Sequence, residues 1–350
     1  MGQAGMEYQE FASDLRGPTI VSSSIEEDEE IMRVFDVDQN MRQLGKGQFR
    51  SHLAVRTVGD TELFADRFNT ALSLHVEAPK GTTGVLFPRS VSGRFLASGE
   101  NLREDKLIVL PPGTGTDIVI PAMAGSEDFA IPPDRFTKLM HILCPTMEMP
   151  DHATIYEGDV AKLQAIRERI VDLVAAPETE ISKEEVSALV DCTIAWLGES
   201  APYWGPESMT IDPERVRIAK KAQEYIEEHY DDCIHMEDLC GESIVGVRTL
   251  QRCFKEYFDV TVSEYLKTKR LDAAHRDLSD AHLKMNTVTE IALNHGFSHL
   301  GRFSVDFKER FGESPGLILA AKESQKSVVR EIPASVFLAT ANMLATTRGD

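Results

Sequence analysis

The fold of the C-terminal part of this 350-residue chain is decided by one stretch, Ile291-Ala292-Leu293-Asn294-His295-Gly296-Phe297-Ser298-His299-Leu300-Gly301-Arg302-Phe303-Ser304. Its first apolar residues predict a short helix that ends near Gly296, because glycine adopts the left-handed turn conformation at no steric cost. A second helix is expected to begin near Ser298, whose hydroxyl can cap it. Its expected buried positions are Leu300, Phe303 and Phe307. Two helices joined by a short glycine turn form a helix-turn-helix unit.

The opposite face of this second helix is polar and suited to contact another molecule. In a helix-turn-helix unit, the N-terminal part of the second helix enters the major groove of DNA. We expect Arg302 and Lys308 to contact phosphates more than bases. The candidate DNA-contacting residues of this unit are His299, Gly301, Arg302, Ser304 and Lys308.

A similar unit is predicted some fifty residues upstream. Leu250 and Phe254 have helical spacing and are expected to be buried. Arginine can pair with guanine and glutamine with adenine in the major groove, although Arg252 could instead form an internal ion pair. The candidate DNA-contacting residues here are Arg248, Thr249, Gln251, Arg252 and Lys255.

Both units resemble the AraC/XylS family of transcription regulators. The second unit has the IA..GF turn, the phenylalanine-bearing helix and the terminal FG.SP pattern, here Phe311-Gly312-Glu313-Ser314-Pro315. The first unit matches the L…R.L.R.FK pattern from Leu239 to Lys255, and residues 265–274 match the long connecting helix. The resemblance implies two units that read successive major grooves about 34 Å apart. It also implies double-stranded DNA as a partner, with RNA polymerase as a further candidate.

The first unit departs from the family pattern at four positions. Ile244 and Gly246 stand where the family usually has Gly and Ser, and a β-branched residue is poor in a left-handed turn. The turn is therefore expected to be built differently here, with Gly246 as the residue available for it. Asp259 replaces a usual Gly, and Val262 replaces a usual Pro.

The N-terminal half has a different pattern, with short apolar runs separated by turn residues. Many short strands at close spacing predict a small barrel or sandwich, and this region weakly resembles the cupin-like sensor domains of the family. Such a barrel can hold one small ligand. The predicted strands are 51–57, 63–68, 71–76, 85–87, 107–110 and 117–120.

A small-molecule effector of unknown identity is therefore expected inside the barrel. The side chains that could face it are Leu72, Leu74, Val76, Leu86 and Phe95. Four arginines among the strands could meet a carboxylate or phosphate of the ligand, or could equally be external, since the register of the strands is not fixed by the pattern. These are Arg56, Arg67, Arg89 and Arg94.

Two amphipathic helices are predicted after the strands. Leu163, Ile166, Ile170 and Leu173 form one stripe, and Ser182 with Glu185 has the form of a capping box before a second stripe that includes Val186, Leu189 and Val190. This pair is the expected seam of a homodimer, although it could instead cover the barrel of its own chain. Residues 198–213 contain three prolines and are read as a linker.

Composition constrains the compartment and the partners. The formal net charge is −20, but residues 213–322 hold 16 basic and 19 acidic side chains and account for only −3 of it. Charge therefore permits DNA binding without proving it. The five cysteines include no CxxC pair, which favours a reducing cytoplasm. Without a long apolar run or a signal-peptide pattern, no membrane association is expected.

An enzyme is not expected, because the common nucleophile, P-loop, dinucleotide and HExxH motifs are missing. His52, His75 and Glu77 could form a cupin-type metal site, but the usual HxH with a following Glu is absent, so neither a metal nor a cofactor is expected. We therefore assign no catalytic residue.

The sequence thus predicts an α+β protein with a cupin-like β-barrel sensor domain, a helical dimerisation pair and an all-α double helix-turn-helix domain. The alternative is a ligand-independent regulator, or an interaction module whose N-terminal domain only dimerises or binds a protein. The expected segments are a flexible acidic tail at 1–30, the sensing domain at 31–205, a linker at 206–212, the DNA-binding domain at 213–322 and an unassigned tail at 323–350.

Overall fold

The computed structural model describes residues 3–91, 93–145, 147–202, 212–230, 234–243, 245–279 and 287–321. These residues fall into two compact units. The first contains those up to Tyr225 together with His235–Tyr265, and the second contains those of Ile226–Ile234 and those from Leu266 onward. Most of the predicted linker and the tail at 323–350 lie outside the described residues, so the predicted domain boundaries stay predictions.

The first unit is built on two antiparallel sheets. The larger has eight strands in the order β1-β3-β4-β11-β6-β9-β12-β13, and the smaller has five in the order β2-β5-β10-β7-β8. The strands are β1 (Ile20–Ser22), β2 (Asp38–Gln43), β3 (Ser51–Val58), β4 (Thr61–Phe68), β5 (Leu72–Glu77), β6 (Thr83–Ser90), β7 (Phe95–Ala97), β8 (Glu100–Leu102), β9 (Lys106–Leu110), β10 (Gly115–Ile120), β11 (Ala124–Ile131), β12 (Thr154–Glu157) and β13 (Ala201–Pro202).

Helices precede and follow the strands. In chain order they are α1 (Gln3–Ala12), α2 (Ile25–Val34), α3 (Pro133–Leu143), α4 (Val160–Ala175), α5 (Lys183–Glu199), α6 (Pro213–His229), α7 (Met236–Ser243), α8 (Val247–Phe258), α9 (Val262–Ser279), α10 (Val288–Asn294) and α11 (Leu300–Phe311), and residues 315–321 are also helical. The mixed helix and strand content and the helical C-terminal part agree with the predicted fold class.

The predicted closed barrel is not confirmed. Each sheet is open, because the described strand pairs leave β1 and β13 at the edges of the larger sheet and β2 and β8 at the edges of the smaller. A strand pattern predicts the strands themselves, and each of the six predicted runs corresponds to a strand, although β5 begins one residue after the start of the predicted run 71–76. It does not specify which edge strands pair, which is what closes a barrel.

Both faces of the larger sheet are covered. Side chains that alternate along β4 and β11 point to opposite faces, and Leu63, Ala65 and Ile131 pack against α3, α4 and α5 on one of them. On the other face, Phe68 packs with Leu74 of the smaller sheet. The double coverage explains why these strands are apolar on both sides.

The prediction of a flexible tail at 1–30 is wrong for residues 3–30. They form α1, β1 and most of α2, and the Tyr8 hydroxyl donates a 2.9 Å hydrogen bond to the carbonyl of Arg67. Glu26, Glu27 and Asp28 lie in the first turn of α2, where carboxylates interact favourably with the helix dipole. Asp28 in this run is buried and accepts hydrogen bonds from Ser51 and Gln39.

The amphipathic pair is confirmed as α4 and α5, and Ser182 and Glu185 form the predicted capping box. The apolar stripes of both helices, however, are buried in the core against the larger sheet of the same chain. The stripes therefore cover this sheet, which was the alternative, and do not form an exposed dimer seam.

A cavity of about 100 Å³ lies between the two sheets. Four of the predicted inward side chains line it, namely Leu74, Val76, Leu86 and Phe95, and Leu72 is buried in the same core. None of the four predicted arginines lines it. Arg67 and Arg89 pair with Asp14 and Glu127, Arg94 pairs with Asp259, and Arg56 donates to the carbonyl of Ala176.

Candidate nucleic-acid interface

The second helix-turn-helix unit consists of α10, a glycine turn and α11. Thr287 caps α10 by accepting a hydrogen bond from the backbone of Glu290. The helix ends in a Schellman motif, in which the N–H of Phe297 donates to Ala292 and that of Gly296 donates to Leu293. Gly296 has φ of +76°, so the predicted left-handed glycine turn is confirmed.

One face of α11 fixes the helix to the rest of its unit. Phe303 and Phe307 are fully buried, as predicted, and pack with Ile291 of α10 and Leu271 of α9. Phe297 in the turn packs against Phe303 with 4.9 Å between ring centroids and an angle of 49° between the ring planes. The core therefore sets the angle between the two helices of the unit.

The opposite face of α11 is exposed, and most of the predicted site residues lie there. His299, Gly301, Arg302 and Lys308 are exposed, and Ser304 is half-buried with its hydroxyl bonded to the carbonyl of Leu300. Two details of the prediction are wrong. The residue that precedes the helix is His299, without a side-chain cap, instead of Ser298, and Leu300 is 37% exposed because it lies at the helix start, beyond the reach of the core.

Two ion pairs on α11 were not predicted from the sequence. Arg302 Nε lies 3.1 Å from Asp306 Oδ1, although 72% of the Arg302 side chain is exposed. The i,i+4 spacing of this pair was a readable signal. Arg310 is buried and forms a two-pronged contact with Asp272 of α9 at 2.7 and 2.9 Å, and no local spacing indicates that pair.

The first helix-turn-helix unit consists of α7 and α8. Leu250 and Phe254 are fully buried, as predicted, and Phe254 packs on Tyr265 with ring centroids 5.4 Å apart. Gly246 directly precedes α8 and has an extended backbone with φ of −74°, so it is not in the left-handed conformation. Ile244 lies outside the described residues.

The other two departures from the family pattern are accommodated locally. Asp259 ends α8 in the left-handed conformation with φ of +56°, which Asp tolerates better than most residues. Val262 is the first residue of α9, the position where proline is favoured but not required. Thr261 and Glu264 form a capping box there, with reciprocal hydrogen bonds of 3.2 and 2.9 Å.

The exposed face of α8 carries the remaining predicted site residues. Arg248, Gln251 and Arg252 are exposed, and within the described residues they make no hydrogen bond or ion pair. The alternative of an internal ion pair for Arg252 finds no partner in this part of the chain. Thr249 is half-buried, and Lys255 is exposed and lies 3.5 Å from Asp259.

The buried side of α8 is joined to the smaller sheet through Asp117 of β10. The Tyr257 hydroxyl donates to Asp117 Oδ2 at 2.7 Å, and Lys220 of α6 lies 2.5 Å from the same oxygen. His75 Nδ1 lies 2.7 Å from the other oxygen, Oδ1. Burial acts to raise the pKa of Asp117, but these three partners outweigh it and hold that pKa below its ordinary value. Sequence reasoning missed this cluster, because its members come from separate elements.

The histidines considered as metal ligands have other partners. His52 Nδ1 lies 2.8 Å from the Tyr8 hydroxyl, and His75 pairs with Asp117. Among the residues that the structure describes, no three His, Cys, Asp or Glu side chains are grouped so as to hold a metal ion. In the same part of the chain, no helix combines the length and apolar character needed to cross a membrane.

Comparisons with a family model and with curated proteins both find relatives of this chain. The family model described as a helix-turn-helix domain matches residues 239–320. The XylDLEGF operon transcriptional activator of Pseudomonas putida is 31% identical over 96 residues, which are 27% of this chain and 30% of that protein. The HTH-type transcriptional activator RhaS of Escherichia fergusonii is 29% identical over 194 residues, covering 55% of this chain and 67% of that protein.

Among solved structures, a probable AraC family transcriptional regulator from Rhodopseudomonas palustris CGA009 is 32% identical. It covers 30% of this chain and 97% of its own, with a TM-score of 0.29. The chain thus spans 30% of the length of the first curated relative named above.

The capped helices, the Schellman turn at Gly296 and the exposed polar faces define the C-terminal part as a helix-turn-helix domain. By the family match at residues 239–320 and by the curated relatives named above, the chain belongs to the AraC/XylS family.

Proposed function

We propose that the chain is a sequence-specific DNA-binding transcription regulator, not an enzyme, and that α8 and α11 are its two recognition helices. One observation carries the proposal. Both helices bury an aromatic face and expose a face that bears arginine, lysine or glutamine. Arginine and glutamine read base edges in the major groove, and basic side chains neutralise phosphates.

The two helices are proposed to contact different parts of the DNA, α8 mainly the bases and α11 mainly the phosphates. Arg248, Gln251 and Arg252 on α8 have no competing partner among the described residues, so we assign them to base edges. We assign Arg302 and Lys308 on α11 to phosphates. The Nε atom of Arg302 already forms an ion pair with Asp306, so its guanidinium is less available to a base edge. His299, at the N-terminus of α11, is the base reader of that helix, because recognition helices contact bases through their N-terminal residues.

The N-terminal unit is proposed to hold a small effector in the cavity between the sheets. A change in the smaller sheet can reach the recognition helix α8, because Tyr257 on the buried side of α8 donates a hydrogen bond to Asp117 of that sheet. An effector that binds one arrangement of the sheets more tightly would shift the equilibrium of α8 toward the position that goes with that arrangement. The size of this shift is limited by the difference in affinity. A coupling of about 1–3 kcal/mol is usual for such control.

The salt dependence of DNA binding tests the proposal. We expect the full chain to bind a labelled duplex pool of random sequence, with an affinity that falls as salt rises. Lys308→Ala should reduce the slope of log affinity against log salt by about one unit. Lys183→Ala, the same loss of charge at an exposed position on α5, should leave the slope unchanged. No binding, or equal effects of the two variants, would remove α11 from the interface.

A further inference from the structure

The cavity between the sheets has apolar walls and an acidic polar lining. Phe64, Phe68 and Ile118 contribute to the walls. The polar lining includes Asp66 and Asp128. With a volume of about 100 Å³, the cavity is smaller than the engineered one of about 150 Å³ that takes benzene. A ligand that fits it is therefore compact.

The two aspartates lie on one face of the larger sheet. Asp66 of β4 is directly opposite Ser126 of β11, and Asp128 follows Ser126 two residues later, so all three side chains point to the same side. The Ser126 hydroxyl lies 2.9 Å from Asp66 Oδ2 and 2.7 Å from Asp128 Oδ2. The backbone N–H of Ser126 also donates to Asp66 Oδ1 at 2.8 Å. A hydroxyl has one proton to donate, so it cannot satisfy both carboxylates, and Asp128 is the one left with an oxygen that has no partner in the described part of the chain.

No positively charged side chain of the described residues lines the cavity beside these two carboxylates. The Oδ1 atom of Asp128 is fully buried and has no hydrogen-bond partner within the described residues. No Lys, Arg or His of the described chain lines the cavity, whereas a third carboxylate, Glu77, does. Arg67 lies on the opposite face of β4 and forms ion pairs with Asp14 and Glu127.

The burial of unpaired carboxylates is costly unless each is neutralised by a proton or a cation. Burial raises the pKa of Asp66 and, with the neighbouring charge of Asp66, that of Asp128. The cavity therefore binds either protons or a positively charged group. This is the opposite of the anionic ligand that the four arginines suggested from the sequence.

We propose that the effector of this cavity is a compact organic cation, an ammonium or short alkylamine, whose N–H groups donate to Asp66 and Asp128 while its carbon atoms contact Phe64 and Phe68. The inference rests on the proposed function, since it names the class of effector for the site proposed above. Ammonium groups carry three donors and no acceptor, which matches the carboxylate oxygens of Asp66 and Asp128 in the lining.

Three probes of nearly equal size and different charge test the class. Propylammonium, 1-propanol and propionate are titrated into the full chain by calorimetry and thermal shift. We expect propylammonium to bind and to raise the melting temperature, with no measurable effect of the other two. Equal responses to propylammonium and 1-propanol, or binding of propionate alone, would overturn the cationic class on the unmodified chain.

A matched pair of variants locates the site. Asp128→Asn should weaken propylammonium binding about tenfold or more, the loss expected for one charge-assisted hydrogen bond. Asp172→Asn, the same change on the exposed side of α4, should leave it unchanged. Unaltered binding to Asp128→Asn would contradict the placement.

The DNA titration is run in parallel, so that the two proposals fail separately. If propylammonium does not bind but the chain binds DNA with the expected salt dependence, the cationic class is wrong and the DNA-binding function stands. If propylammonium binds but DNA binding is absent, the class is supported and the regulator proposal fails.

Discussion

Arg252 and Arg302 occupy exposed helix faces but have different surroundings. Arg252 has no partner among the described residues, whereas Arg302 contacts Asp306, which in turn lies 3.4 Å from Lys267. An exposed i,i+4 pair contributes only a few tenths of a kcal/mol, so phosphate can compete for Arg302. The guanidinium of Arg252 has no such competition and can align with a base edge.

Replacement of each arginine by alanine should therefore have different consequences. On the best duplex selected from a random pool, Arg252→Ala should weaken the binding free energy by about 1–3 kcal/mol. On random DNA the same variant should bind almost as tightly as wild type. Arg302→Ala should weaken binding to all duplexes and reduce the salt slope by about one unit. Anisotropy titrations on both DNAs at several salt concentrations measure this. Equal losses of Arg252→Ala on both DNAs would exclude it as a base reader.

His75 makes the Asp117 cluster sensitive to pH. Its hydrogen bond with Asp117 raises the pKa of His75 above the ordinary value. Because the folded-state pKa is the higher one, the pair stabilises the fold fully below the unfolded-state pKa of about 6.5. That contribution is lost as pH rises through the folded-state pKa.

The prediction is a pH-dependent difference between wild type and His75→Gln. Wild type should melt at a higher temperature at pH 5.5, and the difference should shrink by pH 9. With half of the His75 side chain exposed, the effect should be at most about 1 kcal/mol. His141→Gln, at an exposed position on α3, serves as the control. If the difference in melting temperature between wild type and His75→Gln grows with pH, the His75–Asp117 pair does not stabilise the fold in the way described.

Among the secondary-structure elements, the α10–α11 turn depends most on a single residue. A side chain at Gly296 would adopt a left-handed conformation, and its Cβ would lie 3.1 Å from Nη1 of Arg270. Gly316, by contrast, lies in the helical residues 315–321 and has open space around it. Alanine at the two positions should therefore act in opposite directions.

Gly296→Ala should lower the free energy of local opening of residues 287–311 by about 1–2 kcal/mol. Gly316→Ala should not lower it, since alanine is favoured over glycine in a helix by up to about 1 kcal/mol. Hydrogen–deuterium exchange of peptides from this region measures both. Unchanged protection in Gly296→Ala would mean that the turn does not require glycine.

The sequence predicted the elements whose signals are local. The glycine turn, the aromatic face of α11, and the capping box at Ser182 depend on residues within one or two turns of a helix, and all were confirmed. The helices of residues 3–30 were missed, because this acidic segment was predicted to be flexible, whereas its residues Glu26, Glu27 and Asp28 lie in the first turn of α2.

Features that depend on distant parts of the chain could not be predicted. The open sheets follow from strand pairing, and the Asp117 cluster joins β5, β10, α6 and α8. The acidic cavity arises from the register of β4 and β11, which places Asp66 beside Ser126. A one-residue change of register would move both aspartates to the other face.

Across the whole chain, self-association remains a prediction, and the structure changes the surface on which it rests. With the apolar stripes buried, the exposed sides of α4 and α5 form a groove of about 580 Å³. Ala165, Ala188, Cys192 and Ala195 line it, and their small side chains allow a second helix pair to approach closely.

We expect the full chain to sediment as a dimer at tens of micromolar. Ala188→Glu, which places a charge in the groove, should weaken the dimer at least about tenfold, whereas Ala161→Glu, at an exposed position of α4 outside the groove, should not. A monomeric wild-type chain at that concentration would refute the prediction.

We propose that α8 and α11 each read part of one DNA site. The most direct test is selection of binding sites from a random duplex library with wild type, Arg252→Ala and His299→Ala. We expect a wild-type motif with two blocks about one helical turn apart, in which Arg252→Ala relaxes the base preference of one block and His299→Ala that of the other. A motif that both variants leave unchanged, or no enriched motif at all, would contradict it.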